Sequence, residues 1–104
     1  NVMSTLDAST IKKVVVACDA GMGSSVMLAG QLSSSLAPYS VKVQHSPVNQ
    51  IPDDADLVLC QQGLVSRAKA VKPDKPVLGF TMFLGDPVFD KLQKAIRDGG
   101  QLEY

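Results

Sequence analysis

An unbroken apolar run, Val14-Val15-Val16-Ala17 after Lys12-Lys13, predicts a strand from Lys13 to Ala17 buried on both faces. Beyond a glycine-serine stretch, Leu28, Leu32 and Leu36 recur at four-residue spacing with Ala29 beside them. That stripe predicts a helix from Ser24 to about Leu36, stopped by Ala37-Pro38. Tyr39 to Gln44 alternates apolar and polar, as expected of an edge strand with one wetter face, and His45-Ser46-Pro47 closes it. Ile51 to Ala55 is rich in turn residues. Leu57 to Cys60 predicts a short buried strand, and Leu64, Val65, Ala68 and Val71 predict a helix from about Leu64 to Val71. Val77 to Phe80 reads as a last strand. The final helix has Asp86 as N-cap, Pro87 at its first position, one apolar face of Val88, Phe89, Leu92, Ala95 and Ile96, and Gly99-Gly100 as its stop.

Strands alternating with helices, with no Asn-Gly hairpin signal between them, predict an α/β fold: a small parallel sheet with helices on both faces. Ligands in such sheets bind beyond the carboxyl ends of the strands. Cys18, Gln61-Gln62 and Thr81-Met82 all fall there, so three segments are expected to converge around Cys18. Residues 1–11 are polar and rich in Ser and Thr. Because the chain begins at Asn1, they read as a linker or remnant of a longer protein, leaving 12–104 as the folded domain.

Composition narrows the setting. The 104 residues carry ten basic and ten acidic side chains, a balance that argues against nucleic acid, since phosphate backbones select basic surfaces. No apolar run approaches the roughly 20 residues needed to span a bilayer. Two cysteines are too few for a disulfide framework and fit a reducing, cytoplasmic setting. Cys60 ends an apolar strand and reads as a small buried hydrophobe. No cofactor and no metal are expected, and the isolated domain is expected to be monomeric.

Cys18 differs because of the segment on its C-terminal side, Asp19-Ala20-Gly21-Met22-Gly23-Ser24-Ser25. Two glycines let the backbone curl, and the serines open a helix, so several N–H groups would converge beside the thiol. Donors of that kind favour a thiolate and would hold three phosphoryl oxygens, making residues 19–25 a phosphate-binding loop around a nucleophile. A nucleotide-binding loop would need a Lys before the final Ser, and there is none. A low-molecular-weight tyrosine phosphatase would need an Arg where Ser24 stands, and Asp86-Pro87-Val88-Phe89, which superficially resembles a phosphatase acid loop, reads as a helix cap. Without the cation the loop could accept a phosphoryl group yet pass it poorly to water. Lone His45 has no glycine loop around it and reads as an exposed residue without a role.

Val16-Ala17-Cys18-Asp19-Ala20-Gly21-Met22-Gly23-Ser24-Ser25 resembles the active-site motif of enzyme IIB of the bacterial phosphoenolpyruvate-dependent sugar phosphotransferase system, mannitol-type. The resemblance continues through Pro52 to Val58 and Phe83-Leu84, covering about residues 12–97. It implies a four-stranded parallel sheet, Rossmann-like, with a phosphatase-like active-site loop. It implies that Cys18 accepts a phosphoryl group from a phosphohistidine of enzyme IIA. The group then passes to a sugar, mannitol or a related hexitol, bound by membrane-embedded enzyme IIC, which places the domain at the inner face of the membrane. The family pattern has a His-Arg pair where this chain has Gln61-Gln62. Alternatives are an IIB-like module of a transcription regulator, where phosphocysteine would be a signal, and a small cysteine phosphatase. Met22 and Val26 are candidate partner-contact residues.

Overall fold

The computed structural model describes residues 5–18, 23–82 and 87–103, with side chains for all of these except 23–25 and 103. In chain order the elements are β1 (Thr5–Asp7), β2 (Lys13–Cys18), α1 (Gly23–Leu36), β3 (Lys42–Pro47), β4 (Leu57–Gln61), α2 (Val65–Val71), β5 (Val77–Phe80), α3 (Pro87–Asp98) and β6 (Gln101–Glu103). Four strands form one parallel sheet in the order β3-β2-β4-β5, and β1 pairs with β6 in a separate antiparallel ribbon.

Side-chain alternation along each strand divides the core in two. Val14, Val16, Leu57, Leu59, Leu78 and Phe80 meet Leu28, Leu32 and Leu36 of α1 and Leu92 of α3 on one face. Val15, Ala17, Val58, Cys60 and Val77 meet Ala68 of α2, with Val48, Ile51 and Ala55, on the other. Continuously apolar strands are what a sheet covered on both faces requires. On the α3 side Phe80 and Phe89 add a tilted ring pair, centroids 5.4 Å apart.

Two local devices set the sheet's ends. Asp56 Oδ2 accepts from the backbone N–H groups of Lys12 (2.8 Å) and Lys13 (3.0 Å), fixing where β2 begins. After α3, Gly99 takes φ +67°, and the N–H groups of Gly99 and Gly100 donate to Ile96 (3.4 Å) and Ala95 (3.0 Å), a glycine-dependent helix stop. Lys13 pairs with Asp54 at 2.8 Å and Lys72 with Asp53. The hydrogen bonds from those lysines hold both carboxyls below their ordinary range. Both carboxylates face solvent, so these pairs contribute little stability.

Three expectations change. The second strand is not Tyr39 to Gln44 but Lys42–Pro47, because Ala37–Tyr39 forms a 3₁₀ turn that Ser40 leaves at φ +62°. The Lys42 N–H then joins the Lys12 carbonyl at 2.9 Å and starts the ladder. His45 therefore lies inside an edge strand, half-buried. Residues 5–11, read as linker, are built into the fold: β1 pairs along β6, and Ala8 and Ile11 are buried in the α1/α3-side core. The Asp86 cap lies outside the described residues, although α3 begins at Pro87 as expected.

Candidate active site

Cys18 is the last residue of β2, a central strand, and so stands at the carboxyl edge of the parallel sheet. It follows Val14 and Val16 in the alternation, which puts it on the α1/α3 face. Only 7% of its surface is exposed, and its Sγ donates to the Ser46 carbonyl of β3 at 3.6 Å, a weak bond available only to the protonated thiol. Its rung partner on β3 is Pro47.

Cys60 ends the buried part of β4 on the opposite face. It is fully buried, and burial pushes its thiol up to about 11. The two cysteines therefore face opposite layers of one sheet, and both are free thiols.

Of the expected phosphate loop, Asp19, Ala20, Gly21 and Met22 lie outside the described residues. Gly23, Ser24 and Ser25 are the first residues of α1, so the helix N-terminus opens within five residues of Cys18. A helix N-terminus offers unpaired N–H donors and a favourable dipole to an anion. The chain passes from the end of β2 to the start of α1 in four residues, which anchors both ends of the loop at the sheet edge.

The other two segments leave the sheet at the same carboxyl edge. Gln61 closes β4 and is exposed, while Thr81 and Met82 follow β5 at the same edge and are also exposed. Gln62 is turned elsewhere: a Cβ on Gly79 would lie 2.2 Å from its Oε1 and 2.8 Å from Val65 Cγ2. Gly79 pairs with Cys60, so the Gln62 amide packs on the α2 face, away from Cys18.

Val26, expected as one of two apolar contact residues, is 44% exposed, and Met27 (65%) and Met82 (50%) join it. Met22 lies outside the described residues. Sequence reasoning placed Met82 at the strand end without naming it as a contact, and it missed Met27, because an apolar residue in a helix reads first as core. The signal for Met27 was its place off the Leu28-Leu32-Leu36 stripe. A cleft of about 530 Å³ between α3 and β6 is remote from Cys18. A covalently held phosphoryl group needs donors, not an enclosed cavity. Among the described residues no cluster of three His, Cys, Asp or Glu side chains could hold a metal ion.

Residues 13–96 match the family model for the PTS system, Lactose/Cellobiose specific IIB subunit. The chain belongs to the IIB family of the phosphotransferase system. Phosphotransfer is the activity of that family. This IIB chain is 37% identical over 92 residues to the PTS system mannitol-specific EIICB component of Halalkalibacterium halodurans, covering 86% of this chain and 20% of that protein. It is 35% identical over 96 residues to the mannitol-specific EIICB component of Bacillus subtilis, covering 90% and 20%. Against the mannitol-specific EIICBA component of Escherichia coli it is 36% identical over 95 residues, covering 88% and 15%. The chain thus spans a fifth or less of the length of these relatives. The solved lactose-specific IIB component domain of Streptococcus pneumoniae is 17% identical, with a TM-score of 0.49, over 86% of this chain and 94% of that one.

Proposed function

We propose that this IIB chain carries a phosphoryl group on Cys18 between a phosphohistidine of enzyme IIA and a sugar, mannitol or a related hexitol, held by membrane-embedded enzyme IIC. The observation that carries the reading is the placement of Cys18 at the carboxyl edge of a parallel sheet, with only four residues between it and the N-terminus of α1. The names of the mannitol-specific relatives, EIICB and EIICBA, support the choice of partners and sugar.

In the first step the Cys18 thiolate attacks phosphorus. The S–P bond forms as the P–N bond breaks, and the electron pair goes to the donor imidazole, which takes up the proton the thiol has released. In the second step a sugar hydroxyl oxygen attacks phosphorus. The O–P bond forms, the S–P bond breaks, the pair returns to sulfur, and the hydroxyl proton leaves to restore the thiol. Little beyond alignment and charge stabilisation is needed for either displacement, which suits backbone donors of residues 19–25 and the serine hydroxyls. A cradle with no basic side chain also favours handing the group on, because no fixed cation holds it.

Both partners must reach the same sulfur in turn. Val26 and Met27 in the first turns of α1 and Met82 just past β5 are exposed apolar side chains available for the contacts. No helix among the described residues is long and apolar enough to cross a membrane. The EIICB and EIICBA relatives support work at the inner membrane face beside IIC. Incubation with phosphoenolpyruvate and the upstream phosphotransfer proteins, followed by mass spectrometry, is expected to place one phosphate on Cys18. Phosphate on any other residue would overturn the reading.

A further inference from the structure

The two strands that flank Cys18 differ in what they offer a phosphoryl group. On the β3 side the sulfur rests against the Ser46 carbonyl, an acceptor, and its rung partner Pro47 has no N–H to donate. A thiol suits that flank. A phosphothiolate, which brings three anionic oxygens and loses the S–H donor, is repelled by it. On the β4 side the paired rungs end at Val16 with Leu59, and the same register continued two residues along both strands would bring Gln61 opposite Cys18. Gln61 shares the α1/α3 face, since Leu59 below it and its β5 partner Phe80 both belong to that core. Within β4 it is the one exposed residue, following four buried ones.

We propose that Gln61 is a phosphoryl-binding residue of this site: on phosphorylation Cys18 turns from the Ser46 carbonyl toward β4, where the Gln61 side-chain amide donates to the phosphoryl oxygens. The proposal rests on Cys18 as phosphoryl acceptor. A primary amide has two N–H donors and no charge, so it holds the group without the bidentate clamp a guanidinium would impose. That is the strength a transient carrier needs. The adjacent Gln62 serves as an internal control, because its amide is packed against Gly79 on the other face.

The test is the phosphorylation equilibrium of the whole chain with phosphorylated IIA, read by mass spectrometry, together with the phosphorus NMR shift of the phosphocysteine. Q61A is expected to lower the phosphorylated fraction roughly tenfold, the scale of one hydrogen bond to a charged group. Q61E, which keeps the side-chain volume but replaces the donors with a carboxylate, is expected to lower it further. Both variants should melt like wild type, because Gln61 is exposed, and Q62A should phosphorylate like wild type. In the wild type the Gln61 side-chain amide resonances should move on phosphorylation while those of Gln62 stay. Wild-type equilibrium and phosphorus shift in both Q61A and Q61E, with Cys18 still labelled, would overturn the role of Gln61 alone. Absence of label on wild-type Cys18 would overturn the phosphocysteine reading and this proposal with it.

Discussion

Cys18 closes β2 and Cys60 stands one residue short of the end of neighbouring β4, and the alternation turns them to opposite layers. Cys18 stands at the rim on the α1/α3 face, whereas Cys60 is sealed under α2. Cys18→Ser is expected to abolish phosphate labelling and Cys60→Ala to leave it nearly intact, measured by reconstitution with phosphoenolpyruvate. Burial also gives Cys60 a pH signature. Its pKa is raised from 9.0 to about 11 in the folded chain, so the native state stays protonated where the unfolded state ionises. The stability this contributes is complete below pH 9 and is lost as pH rises toward 11. Urea midpoints are expected to fall across that window in the wild type and to fall less in Cys60→Ala. Gly79 is a third residue whose identity the packing dictates. Gly79→Ala is expected to cost about 1–3 kcal/mol by overpacking, and Gln62→Ala in the same chain should recover part of it in chemical denaturation.

At the scale of elements, β2 is held at both ends by groups distant in sequence. Asp56 receives the N–H groups of Lys12 and Lys13 at the start, and the Ser46 carbonyl receives Cys18 at the finish. Losing the first contact would loosen the register that carries Cys18 to the sheet edge. Asp56→Ala is expected to lower stability by about 1–2 kcal/mol, read from urea unfolding, because two N–H groups lose a charged acceptor while water reaches one of them. The helices behave as their periodicity implies: Leu28, Leu32 and Leu36 of α1 and Leu92 of α3 are all buried. β3 is the element read least well, displaced toward the C-terminus from its expected span. Its start depends on a left-handed Ser40 and on the Lys12 carbonyl, neither of which leaves a local hydropathy signal.

For the whole molecule, the β1–β6 ribbon joins the two ends of the described chain, from Thr5 opposite Glu103 to Asp7 opposite Gln101. It carries Ala8 and Ile11 into the α1/α3-side core. Asp7 holds the turn, accepting from the backbone N–H and hydroxyl of Ser9 at 3.0 and 2.7 Å, and those bonds lower its carboxyl pKa. Ile11→Ala is expected to cost about 2–4 kcal/mol in urea unfolding, the usual range for emptying a fully buried aliphatic site. A cost near zero would return residues 5–11 to the status of a linker.

By itself the sequence determined the two-sided sheet, since apolar strands without polar alternation can exist only between two covered layers. It also determined the thiol at a strand end and the glycine-serine path into α1, because those features arise from neighbouring residues and known backbone preferences. Only the tertiary structure decided which face each cysteine takes, that Gln61 follows the α1/α3 face while Gln62 lies over Gly79, and that residues 5–11 belong to the core. Each of these depends on strand register or on contact between segments far apart in the chain. One rung of register moves every side chain to the opposite layer, and no local pattern of hydropathy records which rung is used.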